Sequence, residues 1–365
     1  MMTSADLLSG PRGRRLCLAL ALTMPPRGQE SEPWEAFSEA VFFAAYNLDP
    51  GRGTSRSLFG PGASDPPPTP SPAEVARLLN AVPLPNCDAA TLLSALAVAV
   101  DSARYWQEPS GEDVLAGTPE VRAALARVAD SIASAAGTVR WGDPVDVSGQ
   151  WVVTFDDVTG AGPMSLDAAQ EILDRWAPLQ VEEEIVAQRE RPVDPAARFS
   201  GTWWSRPALG LTGTTRALPM QGPMGLRFVE DQLGWTAAGV EQVRLPGDAR
   251  IFEIDGPAAW AELVGRYPIE VTAGRRHDWY RVTGRTGRWL IPNWSEVRYD
   301  FDALHLTVGG YLTTAGVAVS IDEERSTVLA GWDPDATYWL RDLDRDASTR
   351  RDWHLDQEHD IWNDS

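Results

Sequence analysis

Apolar positions recur at helical spacing through most of the first 140 residues. Within 5–48, Trp34, Phe37, Val41 and Phe42 fall on one helix face, and Ala40, Phe43 and Ala44 repeat the period, so this stretch reads as mostly helical. Ser71-Pro72 followed by Glu74 has the residue types of a helix start: a hydroxyl cap, proline at the first position and a carboxylate at the third. Leu92, Leu93, Leu96, Ala99, Val100, Ala103 and Trp106 form a stripe that predicts one long helix. Thr118-Pro119-Glu120 opens another, with Val121, Leu125, Val128, Ala129 and Ile132 inward and Gly137 as its stop. The pattern then changes. The segment 150–156 (QWVVTFD) is β-branched and aromatic, which predicts a strand. Ser165 is the expected cap of a helix that buries Ala169, Ile172, Leu173 and Trp176. Further on, 250–255 reads as a strand and Asp255-Gly256-Pro257 as a turn. Trp260, Leu263, Val264 and Tyr267 then lie on one helix face. Asn293 or Ser295 opens a second short helix. Leu304, Leu306 and Val308 alternate with Ala303, His305 and Thr307, the pattern of a half-buried strand. Short strands are expected at 328–330 and 337–340.

These elements imply an α+β protein. A mainly helical domain spans 1–150 and is broken at 49–72 by seven prolines and four glycines, a stretch expected to be disordered. Residues 151–194 supply a strand, a helix and an acidic linker, with ten carboxylates against three arginines in 156–194. A domain boundary is placed near residue 195. A tryptophan-rich α/β domain follows over 195–345, with a small, mostly antiparallel sheet and helices against it. An acidic tail, 346–365, is expected to pack loosely or fray. A length of 365 residues suits two such domains.

Composition narrows the chemistry. A net charge of −20 argues against bulk binding to nucleic acid or anionic membrane, which needs a basic face. The chain has no lysine, and all 32 basic residues are arginine. That excludes a phosphate-loop lysine, a Schiff-base lysine and a kinase strand lysine. Cys17 and Cys87 are too few for a disulfide framework or a cysteine zinc site, and suit a reducing cytoplasm. Four histidines leave little scope for a histidine-rich metal site, and none is predicted. No apolar run reaches the roughly 18 residues needed to span a bilayer. Arg12, Arg14 and Arg15 precede the apolar run 16–22, and Pro25 and Pro26 follow, a layout like a short signal peptide. The short run and the lack of a small-residue cleavage site favour an element of the folded chain, hence a cytoplasmic location, with secretion through 12–26 as the alternative.

Four constellations carry candidate chemistry. In 198–205 (RFSGTWWS), with Thr214-Thr215-Arg216, Trp203 and Trp204 can stack on a ring while Arg198 or Arg216 holds a phosphate. The alternative is that the tryptophans fill a core. His305 and Thr307 share a strand face opposite to Asp300 and Asp302, which argues against a three-ligand metal site made only from these residues. His305 either lines a pocket or is a hydrogen-bonded structural residue. The basic loop 275–281, continued to Arg288, packs five arginines into 14 residues. Interleaved with aromatics, it suits a phosphate or nucleotide, or else it compensates the acidic linker or tail. The turn 331–339 sets Asp333 and Asp335 between tryptophans, where a carboxylate can enter a cleft.

The phrases GPRGRRLCLALAL, SARYWQEPSGEDVL, GTWWSRP, YDFDALHLTVGGYLTTAG and LAGWDPDATYWL resemble an actinobacterial family whose function is unassigned. The resemblance covers nearly the whole chain. The C-terminal half is also similar in layout to ADP-ribosyltransferase-like domains, which arrange an arginine or histidine strand, a hydroxyl-bearing strand and a late glutamate around NAD. That likeness implies Arg198 for the first and Ser205 for the second. The late carboxylate would be Asp335, an aspartate where that family has glutamate. The leading expectation is therefore a nucleotide or NAD site in which Trp203, Trp204, Ser205, Arg198 and Arg216 bind, with Asp335 and His305 beside the reacting carbon. The rival is a non-catalytic protein whose tryptophan-rich face binds a protein partner.

Overall fold

The computed structural model describes all residues except 1, 25–31, 52–67, 156–167, 219–220, 359 and 365. Most of the proline-rich stretch 49–72, and the expected cap Ser165, lie outside the described residues.

The N-terminal half is a stack of short helices whose starts the sequence marks. Thr3 forms a reciprocal capping box with Asp6 ahead of helix Ser4–Ser9. Ser71, Asp88 and Ser110 each accept a backbone N–H at the heads of helices Pro72–Ala81, Ala89–Asp101 and Gly111–Gly117. Proline opens helices Pro11–Ala21, Pro72–Ala81 and Pro119–Ala124, where its missing N–H costs nothing. The expected long helix of the 92–106 stripe stops at Asp101. Trp106 stands beyond it and donates its indole N–H to Asp231 at 2.9 Å. The helix expected after Thr118 is two, Pro119–Ala124 and Ala126–Ala133, yet all five inward residues are buried as their spacing requires.

The large sheet draws on distant parts of the chain. From one edge its strands are Ile361–Asp364, Arg351–Asp356, Ala237–Arg244, Gln150–Phe155, Gly213–Leu218, Thr337–Trp339, Ala303–Leu306 and Ile251–Ile254. All neighbours are antiparallel except the last two, which are parallel. Ala303–Leu306 was expected to be half-buried but is buried on both faces, because it lies inside the sheet under covering layers. A second, four-stranded sheet joins Pro268–Glu270, Arg288–Pro292, Arg325–Thr327 and Val319–Ser320.

One apolar core runs from Leu16, Phe37 and Leu96 in the helical half to Leu304, Trp294 and Trp332 in the other. Six tryptophans, Trp260, Trp279, Trp289, Trp294, Trp332 and Trp339, are fully buried. Several meet edge to face, such as Trp294 and Trp332 at 6.1 Å, an arrangement that suits the ring quadrupole.

Two more expectations are corrected. The acidic tail does not fray. It forms a hairpin, Arg351–Asp356 with Ile361–Asp364, on the edge of Ala237–Arg244. Trp362 anchors it by closing a small second core with Leu226, Ala238 and Val240. The basic loop 275–281 is helical, within Thr272–Thr283. The buried Glu184, on helix Ala169–Glu190, accepts the Ala273 and Gly274 N–H groups at 2.8 Å and so caps that helix with negative charge. Of the arginines in this stretch, one meets the acidic 156–194 segment and the others pair locally. Arg275 meets Glu183 at 3.3 Å, Arg281 pairs with Asp278, and Arg288 pairs with Glu270. No helix among the described residues is long and apolar enough to cross a membrane.

Candidate functional site

Three strands of the large sheet, and the turn that leads into the strand Thr337–Trp339 lying between two of them, build a largely buried ionic chain. Arg216 lies on Gly213–Leu218, His305 on Ala303–Leu306 and Glu253 on Ile251–Ile254, directly opposite His305 in the parallel register. Asp335 sits on the turn before Thr337–Trp339 with φ +61°, a left-handed conformation that aspartate tolerates better than most residues. Its N–H donates to Leu306 O at 2.8 Å, which ties the turn to the histidine strand. Arg216 donates from its backbone N to Asp335 Oδ2 at 3.0 Å and from Nε to Oδ1 at 2.5 Å. Its Nη2 donates to the carbonyls of Pro144, at 3.2 Å, and Asp143. His305 Nε2 lies 3.3 Å from Asp335 Oδ1, and its Nδ1 lies 2.5 Å from Glu253 Oε2. Glu253 Oε1 accepts the Val145 N–H at 3.0 Å.

The geometry fixes the protonation of His305. Both ring nitrogens face carboxylate oxygens, but a neutral imidazole has only one N–H, so the other nitrogen would set a lone pair against a carboxylate. The imidazolium satisfies both. Burial works against the charged ring, but hydrogen bonds to Asp335 and Glu253 outweigh it and raise the His305 pKa above its ordinary value. Two cations and two carboxylates then alternate with no net charge. Beside them Thr214 Oγ1 donates to Gln150 Oε1 at 2.6 Å and accepts from Trp339 Nε1 at 2.9 Å.

Arg216 and Asp335 border a cavity of about 350 Å³, within the size range of small-molecule sites. Its walls are apolar and come from both halves of the chain: Leu92, Leu93 and Trp141 on one side, Leu218, Met224 and Val308 on the other. The exposed Arg140 stands at the rim. Among the described residues none accepts a hydrogen bond from Arg216 Nη1, so this donor remains for an occupant. Both Asp335 oxygens are engaged, so this carboxylate is placed to hold Arg216 rather than to take a proton. No cluster of three or more His, Cys, Asp or Glu side chains among the described residues is arranged to hold a metal ion.

The expected residues therefore divide. Arg216, His305 and Asp335 come together. Trp203 and Trp204 line a different cleft, with Glu230 and Asp333. Ser205 is buried and bridges to Ala330, donating its N–H to that carbonyl at 3.0 Å and accepting the Ala330 N–H at 3.1 Å. Arg198 is exposed and borders neither cavity. The turn at 331–335 sends its two aspartates to different places, Asp335 to Arg216 and Asp333 to the tryptophans. Sequence reasoning missed Glu253, Gln150, Trp141, Arg206 and Glu230. For Glu253 a signal existed: it stands between Phe252 and Ile254 in the expected strand 250–255, where a half-buried carboxylate gains from a cationic partner. Comparison of the chain with protein families, with curated proteins and with solved structures gives no match.

Proposed function

We propose that this protein binds a small molecule with one anionic group and a flat or apolar body, the nucleotide class being the first to test, in the cavity bordered by Arg216 and Asp335. The observation that carries the reading is the pairing of Arg216 Nη1, which has no acceptor among the described residues, with walls that are mostly apolar. Such a site fixes orientation through one charge-assisted contact and gains affinity from buried apolar surface. Asp335 holds the guanidinium in place and His305 braces Asp335, so binding is better supported than a reaction at these groups. The rival reading, a tryptophan-rich docking face, has less support because six of the tryptophans lie in the core. The proposed setting is the cytoplasm, in keeping with the unpaired Cys17 and Cys87.

Thermal unfolding with NAD, ADP-ribose and ATP tests the proposal. A ligand at about 100 times its Kd adds roughly 2.7 kcal/mol to the folded state. Ala136→Trp fills the cavity from its rim without touching the ionic chain, and should abolish the shift. No shift with any of the three at millimolar concentration, or one that survives Ala136→Trp, overturns the reading.

A further inference from the structure

We propose a second ligand site, separate from the Arg216 cavity: the tryptophan-walled cleft containing Glu230 and Asp333 binds a neutral polyhydroxylated ring, that is, a sugar. The cleft measures about 330 Å³, and Trp203, Trp204 and Trp235 contribute its aromatic surface. Trp203 and Trp204 meet edge to face at 5.6 Å, and Trp235 is held by stacking on Phe155 at 4.6 Å, so the aromatic walls are braced before any ligand arrives. Gly331, at φ +75°, brings the backbone against this wall. A Cβ there would lie 2.8 Å from the Trp204 Cβ, so only glycine fits the approach.

Two carboxyl groups share the floor. The Glu230 N–H donates to Asp333 Oδ1 at 2.8 Å, and Glu230 Oε2 accepts the Gly331 N–H at 2.9 Å. Behind the floor, the hydroxyls of the buried Tyr105 and Tyr311 hydrogen-bond to the Glu230 carboxyl group and brace it, although neither tyrosine lines the cleft.

Charge decides which ligand. Burial, with repulsion from Asp333, pushes the Glu230 carboxyl up to about 8, and burial pushes Asp333 up to about 6. At neutral pH Glu230 is a proton donor and Asp333 a carboxylate acceptor. Arg206 supplies the balancing cation, steadied by the Tyr338 hydroxyl at 3.0 Å. The floor is thus close to neutral overall, which favours neither an anion nor an organic cation. It offers a donor and an acceptor side by side, as adjacent sugar hydroxyls require, while the indole faces take the apolar C–H face of the ring.

Saturation-transfer NMR at pH 7 with glucose, N-acetylglucosamine, trehalose and cellobiose, each at millimolar concentration, tests this. At least one should bind. Trp204→Ala should weaken it tenfold or more, and the exposed Leu209→Arg at the cleft mouth should block it without disturbing the core. Ala136→Trp, in the other cavity, should leave sugar binding unchanged, which separates this site from the one proposed above. Binding of choline in place of the sugars would show a cation cage and overturn the proposal. So would the absence of any sugar signal, or a signal unaffected by Leu209→Arg.

Discussion

Replacing Asp335 by asparagine is the sharpest probe of the ionic chain. The substitution keeps the shape of the side chain and a residue type that tolerates φ +61°, so the turn is not strained. What it removes is charge. Asp335 accepts from Arg216 at two atoms and faces His305 Nε2, and the Asp335 and Arg216 side chains are 1% and 7% exposed. One amide oxygen can still accept from Arg216. The new NH2 group must face a donor, and a buried guanidinium and imidazolium are left with one carboxylate, Glu253, between them. Breaking a buried pair in this way costs about 3–5 kcal/mol. A globular protein has only about 5–15 kcal/mol in total, so the loss would be plain in urea denaturation followed by far-UV circular dichroism. Arg216→Met should also destabilise, and the double variant should be less damaged than the sum, with a coupling of about 1–3 kcal/mol. A loss under about 1 kcal/mol for Asp335→Asn, or strict additivity with Arg216→Met, would refute the claim that these charges neutralise one another inside the fold.

Two further outcomes follow from the same physics. The folded-state pKa of His305 is raised above its ordinary 6.5, so its contribution is full below about pH 6.5 and is lost as pH rises through the folded value. His305→Gln should flatten this part of the fall in urea midpoint as pH rises above about 6.5, and an unchanged slope would sink the imidazolium assignment. Trp362→Ala should cost about 3 kcal/mol and speed amide exchange in Arg351–Asp356 and Ile361–Asp364 ahead of the rest of the sheet. Equal protection in variant and parent would mean that the tail hairpin does not depend on its tryptophan anchor.

What the sequence determined by itself was local. Caps at Ser71 and Asp88 and first-turn prolines at Pro72 and Pro119 set helix starts, because a cap satisfies backbone groups only three residues away and proline is already set for the first turn. Spacing placed Trp260, Leu263 and Val264 on a buried face, because a helix repeats within four residues. The α+β class and the residue types of the site were legible too: arginine, aspartate and histidine in the C-terminal half. Which of them meet was decided by tertiary structure. Glu253 reaches His305 only because two strands 52 residues apart lie parallel in register. Arg198 and Arg216 look alike as sequence, yet one is exposed and the other buried, because only Gly213–Leu218 enters the sheet beside the Asp335 turn. The tail became a hairpin because Ala237–Arg244, more than a hundred residues earlier, left an edge for it to pair with. Asp333 and Asp335 are two residues apart but serve different cavities, because the left-handed turn at Asp335 reverses the direction in which the side chains leave the backbone. Pairing between strands and the burial of charge depend on which segments become neighbours, and a local pattern carries no record of that.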